Sequence, residues 1–281
     1  MKRFFQIIGL VSLMSFSFFY TEKIVSIVKE MDVLMVKIKE EKDKYYIEPI
    51  DAIIDNNYII PGLSGREVDI DLSYDIIKKV GKYSSNLLVY KKIKPKISLI
   101  NNFDKYIISG NKNKKEVTLL FKVKSNDSIT NIKNILDKYK IKSTFFVDGD
   151  WFSNNNELVI SLIKENYNIG NLGYNMDYSN SKFSWMNTIV NKIGNQHITF
   201  CYTENDNKVT LNKCMIDKSY TIKPNIIVNT NPLIEVKKNI NNGSIISFDI
   251  NEKVESELPL IIKYIKSRGY NITNLSKFLE E

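Results

Sequence analysis

The sequence predicts an α/β fold built on a parallel sheet, and three observations carry that prediction. Val117 to Val123, Ser143 to Val147 and the run starting at Ile169 are short and apolar, rich in branched and aromatic residues. That composition suits strands buried on both faces. Two amphipathic helical patterns separate them: Ile129, Ile132, Ile135, Leu136 and Tyr139, then Leu158, Val159, Leu162 and Ile163. Buried strands alternating with helices imply parallel pairing through right-handed crossovers. The chemistry of such folds sits at the C-terminal ends of the strands, here Lys122 to Lys124, Asp148 to Asp150 and Asn171 to Met176.

From the N-terminus, Lys2 and Arg3 precede an apolar run from Phe4 to Tyr20. Its length is at the lower limit for a spanning helix. No small-residue cleavage site follows it, which favours an uncleaved signal anchor over residues 1–21, with secretion after cleavage as the alternative. The leading positive charges put the N-terminus in the cytoplasm and the bulk of the chain outside. Ile24, Ile27, Met31, Leu34 and Ile38 continue at three- and four-residue spacing, so 22–44 reads as a helical stalk.

Residues 45–110 read as a small accessory α+β module, with a helix from Ser73 to Val80 and strand-like runs at Leu87 to Tyr90, Ile97 to Leu99 and Tyr106 to Ser109. Its Glu67, Asp69 and Asp71 are explained by alternating strand or turn charges, because no complete cation-binding loop surrounds them. Residues 111–115 form a polar linker. Ser125, Asp127 and Ser128 are candidate caps for the first helix of the 116–281 domain, and Asn155 and Asn156 for the second.

The stretch from Glu116 to the C-terminus resembles the polysaccharide deacetylases of the NodB homology family. Ile141-Lys142-Ser143-Thr144-Phe145-Phe146-Val147-Asp148-Gly149 resembles the family's second strand, and Asn156 through Asn171 its next helix and turn. Gly243-Ser244-Ile245-Ile246 resembles the late strand; Leu258-Pro259 through Gly269-Tyr270, then Leu275-Ser276, resembles the last helix and strand. The resemblance implies a distorted (β/α) barrel, metal-dependent removal of acetyl groups from N-acetylated sugars, and a low-GC Gram-positive bacterial source. The interval from Ser179 to Ile198 is short for the family, which implies a trimmed, incomplete barrel.

The family's chemical groups are replaced. Its Thr-Phe-Asp-Asp-Gly, which carries the general base and a metal ligand, aligns with Leu120, Phe121, Lys122, Val123 and Lys124. Its His-Thr-Tyr-Ser-His, which holds the metal, aligns with Leu172, Gly173, Tyr174, Asn175 and Met176. Leu cannot ligate, and a thioether suits a hard cation poorly. Its Arg-Pro-Pro-Tyr-Gly aligns loosely with Cys201 to Asn205, and its catalytic histidine with Asp249. The sole histidine, His197, matches none of these positions and reads as an ordinary strand-edge residue. The expectation is a pseudoenzyme with no metal, no cofactor and no catalytic residue, not an active metal-dependent deacetylase.

Lys122 could act as a nucleophile or base if buried. The favoured reading is a charge filling the vacated metal position, paired with Asp249. A vestigial groove would comprise Lys122, Asp148, Trp151, Tyr174 and Asp249. A net charge of +8, from 40 basic against 32 acidic residues, favours anionic wall polymers or lipid head groups as partners. Nucleic acid is excluded by the lack of a basic run interleaved with aromatics. Cys201 and Cys214 could bridge across a hairpin near Asn205 to Asn207, but the strict geometry of a disulfide weighs towards free thiols. Three readings stay open: a membrane-anchored deacetylase-like protein that binds cell-wall glycan or scaffolds an envelope protein; a divergent hydrolase of carbon–nitrogen bonds in N-acetylated polysaccharide; and a purely structural envelope protein.

Overall fold

The computed structural model describes residues 2–179, 182–194 and 198–281; His197 lies outside them. The N-terminal elements, in chain order, are α1 (Lys2–Glu30), α2 (Val33–Glu41), β1 (Ile53–Asp55), β2 (Tyr58–Ile60), β3 (Gly65–Val68), α3 (Ile70–Val80), β4 (Tyr90–Ile93) and β5 (Tyr106–Ile107). Then come β6 (Glu116–Val123), α4 (Thr130–Lys138), β7 (Thr144–Val147), α5 (Gly149–Asn154), α6 (Asn156–Lys164), β8 (Asn168–Asn171) and α7 (Phe183–Ile193). The C-terminal elements are β9 (Phe200–Tyr202), α8 (Lys208–Ile216), β10 (Tyr220–Ile222), β11 (Ile226–Val228), α9 (Pro232–Asn239), β12 (Ile245–Asp249), α10 (Glu252–Ser267), β13 (Asn271–Ile272) and α11 (Leu275–Phe278). They fall into two units, Met1–Pro49 with Ser64–Lys94, and Ile50–Leu63 with Pro95–Glu281.

In the first unit, Val11–Glu30 of α1 is long and apolar enough to cross a bilayer. The seam expected to run unbroken from Ile24 to Ile38 is interrupted at Met31–Asp32. Asp32 accepts the Leu34 N–H at 2.8 Å and starts α2 as its N-cap. Asp69 likewise caps α3 through the Leu72 N–H, so this helix begins three residues before the expected Ser73. Asp69 is therefore a cap, and Glu67 sits in a strand paired with Lys91. The strand expected at Leu87 to Tyr90 lies instead at Tyr90–Ile93, antiparallel to β3. Ile38, Val68, Ile77 and Leu88 form this unit's small core.

The second unit is one curled, open sheet in the order β1-β2-β5-β10-β9-β8-β7-β6-β12-β11, with β13 added to β6. All its pairings are parallel except β1 with β2. It is a half-barrel, as the trimmed sequence implies, although α7 still occupies part of the short interval. Strands β1, β2 and β5 come from the stretch read as a separate module, yet they are hydrogen-bonded into this sheet. Ile97 to Leu99 forms no strand; residues 99–101 make a short 3-10 turn.

Alternation along β6 separates two cores. Val117, Leu119, Phe121 and Val123 join one apolar cluster with Ile132, Leu136, Leu258 and Ile262 of the flanking helices. Leu120 joins a second, with Phe146, Leu172 and Tyr202. Lys122 has the parity of Leu120.

Capping differs from expectation. No side chain caps α4 or α6; Asp127 instead accepts the Lys124 N–H, and Asn155 donates to the Trp151 carbonyl. An unexpected helix, α5, follows β7 directly because Asp148 accepts the Asp150 N–H at 2.9 Å.

Candidate functional site

Parallel register puts Lys122 on β6 opposite Asp249 on β12, both at the C-terminal ends of their strands. The Lys122 ammonium, 5% exposed, donates to Glu204 Oε1 at 2.6 Å and lies 3.2 Å from Asp249 Oδ2. That distance satisfies the expected pairing, and Glu204 adds a second carboxylate that the sequence aligned only loosely. Lys124 Nζ closes the set 3.1 Å from Asp249 Oδ1. Burial pushes the Asp249 carboxyl up, but the Lys122 charge and contacts with Lys124 and Lys122 outweigh it, so its pKa lies below the ordinary value.

Beneath the ion pairs, the Ser247 hydroxyl and the Tyr202 phenol share a 2.8 Å hydrogen bond, and Tyr202 donates to Glu204 Oε1 at 3.1 Å. Burial pushes the Tyr202 phenol far up, which keeps its proton in place as a donor. Sequence reasoning gave Tyr202 a loose alignment but no role, and missed Ser247. The available signal was parity: Tyr202 and Glu204 share one face if β9 continues, as do Ser247 and Asp249 on β12.

The three degenerate metal positions do not converge. Val123 packs in the sheet–helix cluster, Leu172 lies in the opposite cluster against Phe146 and Tyr202, and Met176 is 43% exposed. None of them offers a hard donor, and the nearest central charge is an ammonium. These residues do not fit a divalent metal ion. Among the described residues no cluster of three or more His, Cys, Asp or Glu side chains could hold one.

The remaining groove candidates divide. Trp151 is buried in the core and its indole N–H donates to the Asp127 carbonyl at 2.8 Å, so it lines no groove. Asp148, also buried, caps α5 and accepts the Asn175 N–H at 2.6 Å, which ties the loop after β8 to that helix. Tyr174 lies over Gly149, where a Cβ would come within 2.4 Å of its ring. In the same loop Gly173, Asn175 and Met176 all have positive φ, of 69°, 52° and 60°. Left-handed non-glycine residues cost about 1–3 kcal/mol each, and such strain gathers at ligand clamps and active sites.

Met176 lines a cavity of about 140 Å³ together with residues 202–205, Asn207 and Thr210. Cys201 is bonded to Cys214, with a Cα–Cα separation of 6.3 Å. This overturns the expectation of free thiols. The partners face each other from a strand and a helix, β9 and α8, rather than across a hairpin, and both are fully buried beside Tyr178 and Phe183.

Residues 109–208 match the polysaccharide deacetylase family model. The Bacillus subtilis (strain 168) protein YlxY, itself uncharacterized, is 33% identical over 153 residues, which are 54% of this chain and 48% of YlxY. The chain thus matches about half the length of that relative. The crystal structure of wild-type BA3943, a CE4 family pseudoenzyme from Bacillus anthracis, superposes with a TM-score of 0.65 at 25% identity, covering 89% of this chain and 96% of that one. A BA3943 mutant with restored enzymatic activity gives a TM-score of 0.66 at 24% identity, over 89% of this chain and 99% of its own.

Proposed function

We infer the function of this chain from its place in the polysaccharide deacetylase family, to which it belongs as a degenerate member. It acts as a membrane-anchored, extracytoplasmic glycan-binding or scaffolding protein of the cell wall, without metal-dependent deacetylation. One observation carries this reading: the Lys122 ammonium stands between Glu204 and Asp249 at the strand ends where the family's base and metal act. A cation repelled by that ammonium, with no hard donor at Val123, Leu172 or Met176, has no reason to settle there. Lys122 cannot serve as a free base while it is held by two carboxylates, which disfavours the divergent hydrolase.

Three features support the location. Helix α1 is long and apolar enough to cross a bilayer, Lys2 and Arg3 precede it, and a disulfide persists in oxidising compartments rather than in the cytoplasm. The strained loop and the cavity beside Glu204 support a ligand-binding role over a purely structural one. The test incubates detergent-solubilised full-length protein with insoluble N-acetylated cell-wall polysaccharide, then measures cosedimentation and acetate release. Cosedimentation without acetate is expected; turnover refutes the pseudoenzyme reading, and absence of binding refutes the glycan reading.

A further inference from the structure

We propose that the cavity at the N-terminal end of β8, opposite the strand ends that carry the Lys122 cluster, is a second ligand site, and that it takes one uncharged, N-acetylated sugar ring. The inference rests on the glycan-binding reading above and adds a separate contact for the same class of polymer.

Asn168, the first residue of β8, is 7% exposed. Its Oδ1 accepts the Ser276 N–H at 2.8 Å, which fixes the orientation of the amide. The Nδ2 meets no acceptor among the described residues, and it is not sealed from solvent. A donor of a buried residue that is neither bonded nor sealed opens onto the cavity its residue lines. Buried side-chain donors are paired as a rule, so this one calls for an acceptor from outside the fold.

The walls are held in place around it. The turn from α6 to β8 passes through Asn166 in the left-handed region, with φ of 66°, which asparagine tolerates. Asn274 Nδ2 donates to the Asn166 carbonyl at 2.9 Å, and Asn274 Oδ1 accepts the Lys277 N–H at 3.1 Å. The α6–β8 turn and the start of α11 are thus braced twice, here and through Asn168 with Ser276, so the cavity is pre-formed.

No charged side chain lines it. Ile163 and Tyr167 supply apolar wall, and Asn166 and Ser276 add an amide and a hydroxyl. The Tyr167 hydroxyl is committed to Asp137 at 2.8 Å and the Lys142 ammonium lies 4.1 Å from its ring centroid, so this ring is a wall and not a stacking platform. An ammonium or carboxylate entering the cavity would lose water without meeting an opposite charge. An acetamido group matches the lining: its carbonyl oxygen accepts from Asn168 Nδ2, and its methyl packs on Ile163. At about 250 Å³ the cavity falls just below the ~300–1,000 Å³ of drug-sized sites, which suits a single ring.

The test is calorimetric titration of the full-length protein in detergent with the disaccharide of N-acetylglucosamine and, separately, that of glucosamine. At pH 6, where the amine is charged, the N-acetylated disaccharide is expected to bind at least about tenfold more tightly. Asn168→Asp keeps the acceptor for the Ser276 N–H but removes the donor, and should weaken that binding at least about tenfold. Ile163→Trp, which fills the cavity from α6, should abolish it; circular dichroism melts show whether each variant is folded. Unchanged binding by either folded variant, or equal or tighter binding of the glucosamine disaccharide, overturns this inference and leaves the glycan reading intact. So does a wild type that cosediments with wall polysaccharide but binds neither disaccharide. A wild type that does neither overturns both.

Discussion

Replacing Lys122 with Met keeps the length of the side chain and removes its charge. In the native protein the ammonium neutralises Glu204 at 2.6 Å and Asp249 at 3.2 Å. Removing one partner of a fully buried pair costs about 3–5 kcal/mol, because the other charge is left uncompensated. Here the Glu204 and Asp249 side chains retain 29% and 36% of their exposure, so water screens both. The expected loss is therefore smaller, about 2 kcal/mol at pH 7, or a fall in Tm of about 4–8 °C for a unit of this size. Trp151 and Trp185 both lie in the second unit, so intrinsic fluorescence reports its unfolding.

The pH dependence carries the sharper information. The Asp249 pKa is depressed in the folded protein, so its contribution is present above the unfolded value and is lost as pH falls through the folded one. Without Lys122 only the Lys124 contacts oppose burial, so the carboxyl pKa rises and protonation relieves the strain. The deficit of Lys122→Met should thus shrink between pH 7 and pH 5. The triple variant Lys122→Met, Glu204→Gln, Asp249→Asn should recover more than half of it at pH 7. A loss below about 0.5 kcal/mol at pH 7, or one unchanged at pH 5, refutes the claim that this ammonium holds the site together.

Other outcomes follow from the same geometry. Replacing both Cys201 and Cys214 with Ser should cost about 3 kcal/mol by loop entropy for their separation of 13 residues, read by denaturant melts, and thiol titration of the unreduced, denatured wild type should find no free cysteine. Burial pushes the Asp137 carboxyl up, but hydrogen bonds from Lys133, Lys142 and Tyr167 outweigh it and bring its pKa down to about 2. Asp137→Asn should therefore destabilise by about 1 kcal/mol at pH 7, allowing for its partial exposure, and the wild type should lose this margin as pH falls from about 4 towards 2. Gly149→Ala drives a Cβ into the Tyr174 ring, so a crystal structure of the variant should show Tyr174 and the loop after β8 displaced.

The framework of the fold was legible because buried parallel strands leave unmistakable apolar runs: β6, β7 and β8 lie within a residue of their expected positions. Less legible was the stretch from 45 to 110. Strands of two or three residues, such as β1 and β5, are too short to show a period, and their membership in the main sheet depends on long-range pairing with β10. The Lys122–Asp249 pair could be anticipated from two opposite charges at adjacent strand ends. Glu204 was less legible, since it lies beyond the end of β9 and shares a face with Tyr202 only if the strand's alternation continues into the loop. Trp151 was placed in a vestigial groove, but α5, begun by the Asp148 cap, turns it into the core. The disulfide escaped because residues 208–216 form a helix rather than the second arm of a hairpin.

On this reading an internal ammonium has taken the place of a catalytic metal. Zinc titration of the full-length protein at neutral pH, followed by calorimetry, tests it most directly. No saturable binding is predicted, because Lys122 repels the ion and Val123, Leu172 and Met176 supply no hard donor; a stoichiometric zinc site would contradict the account.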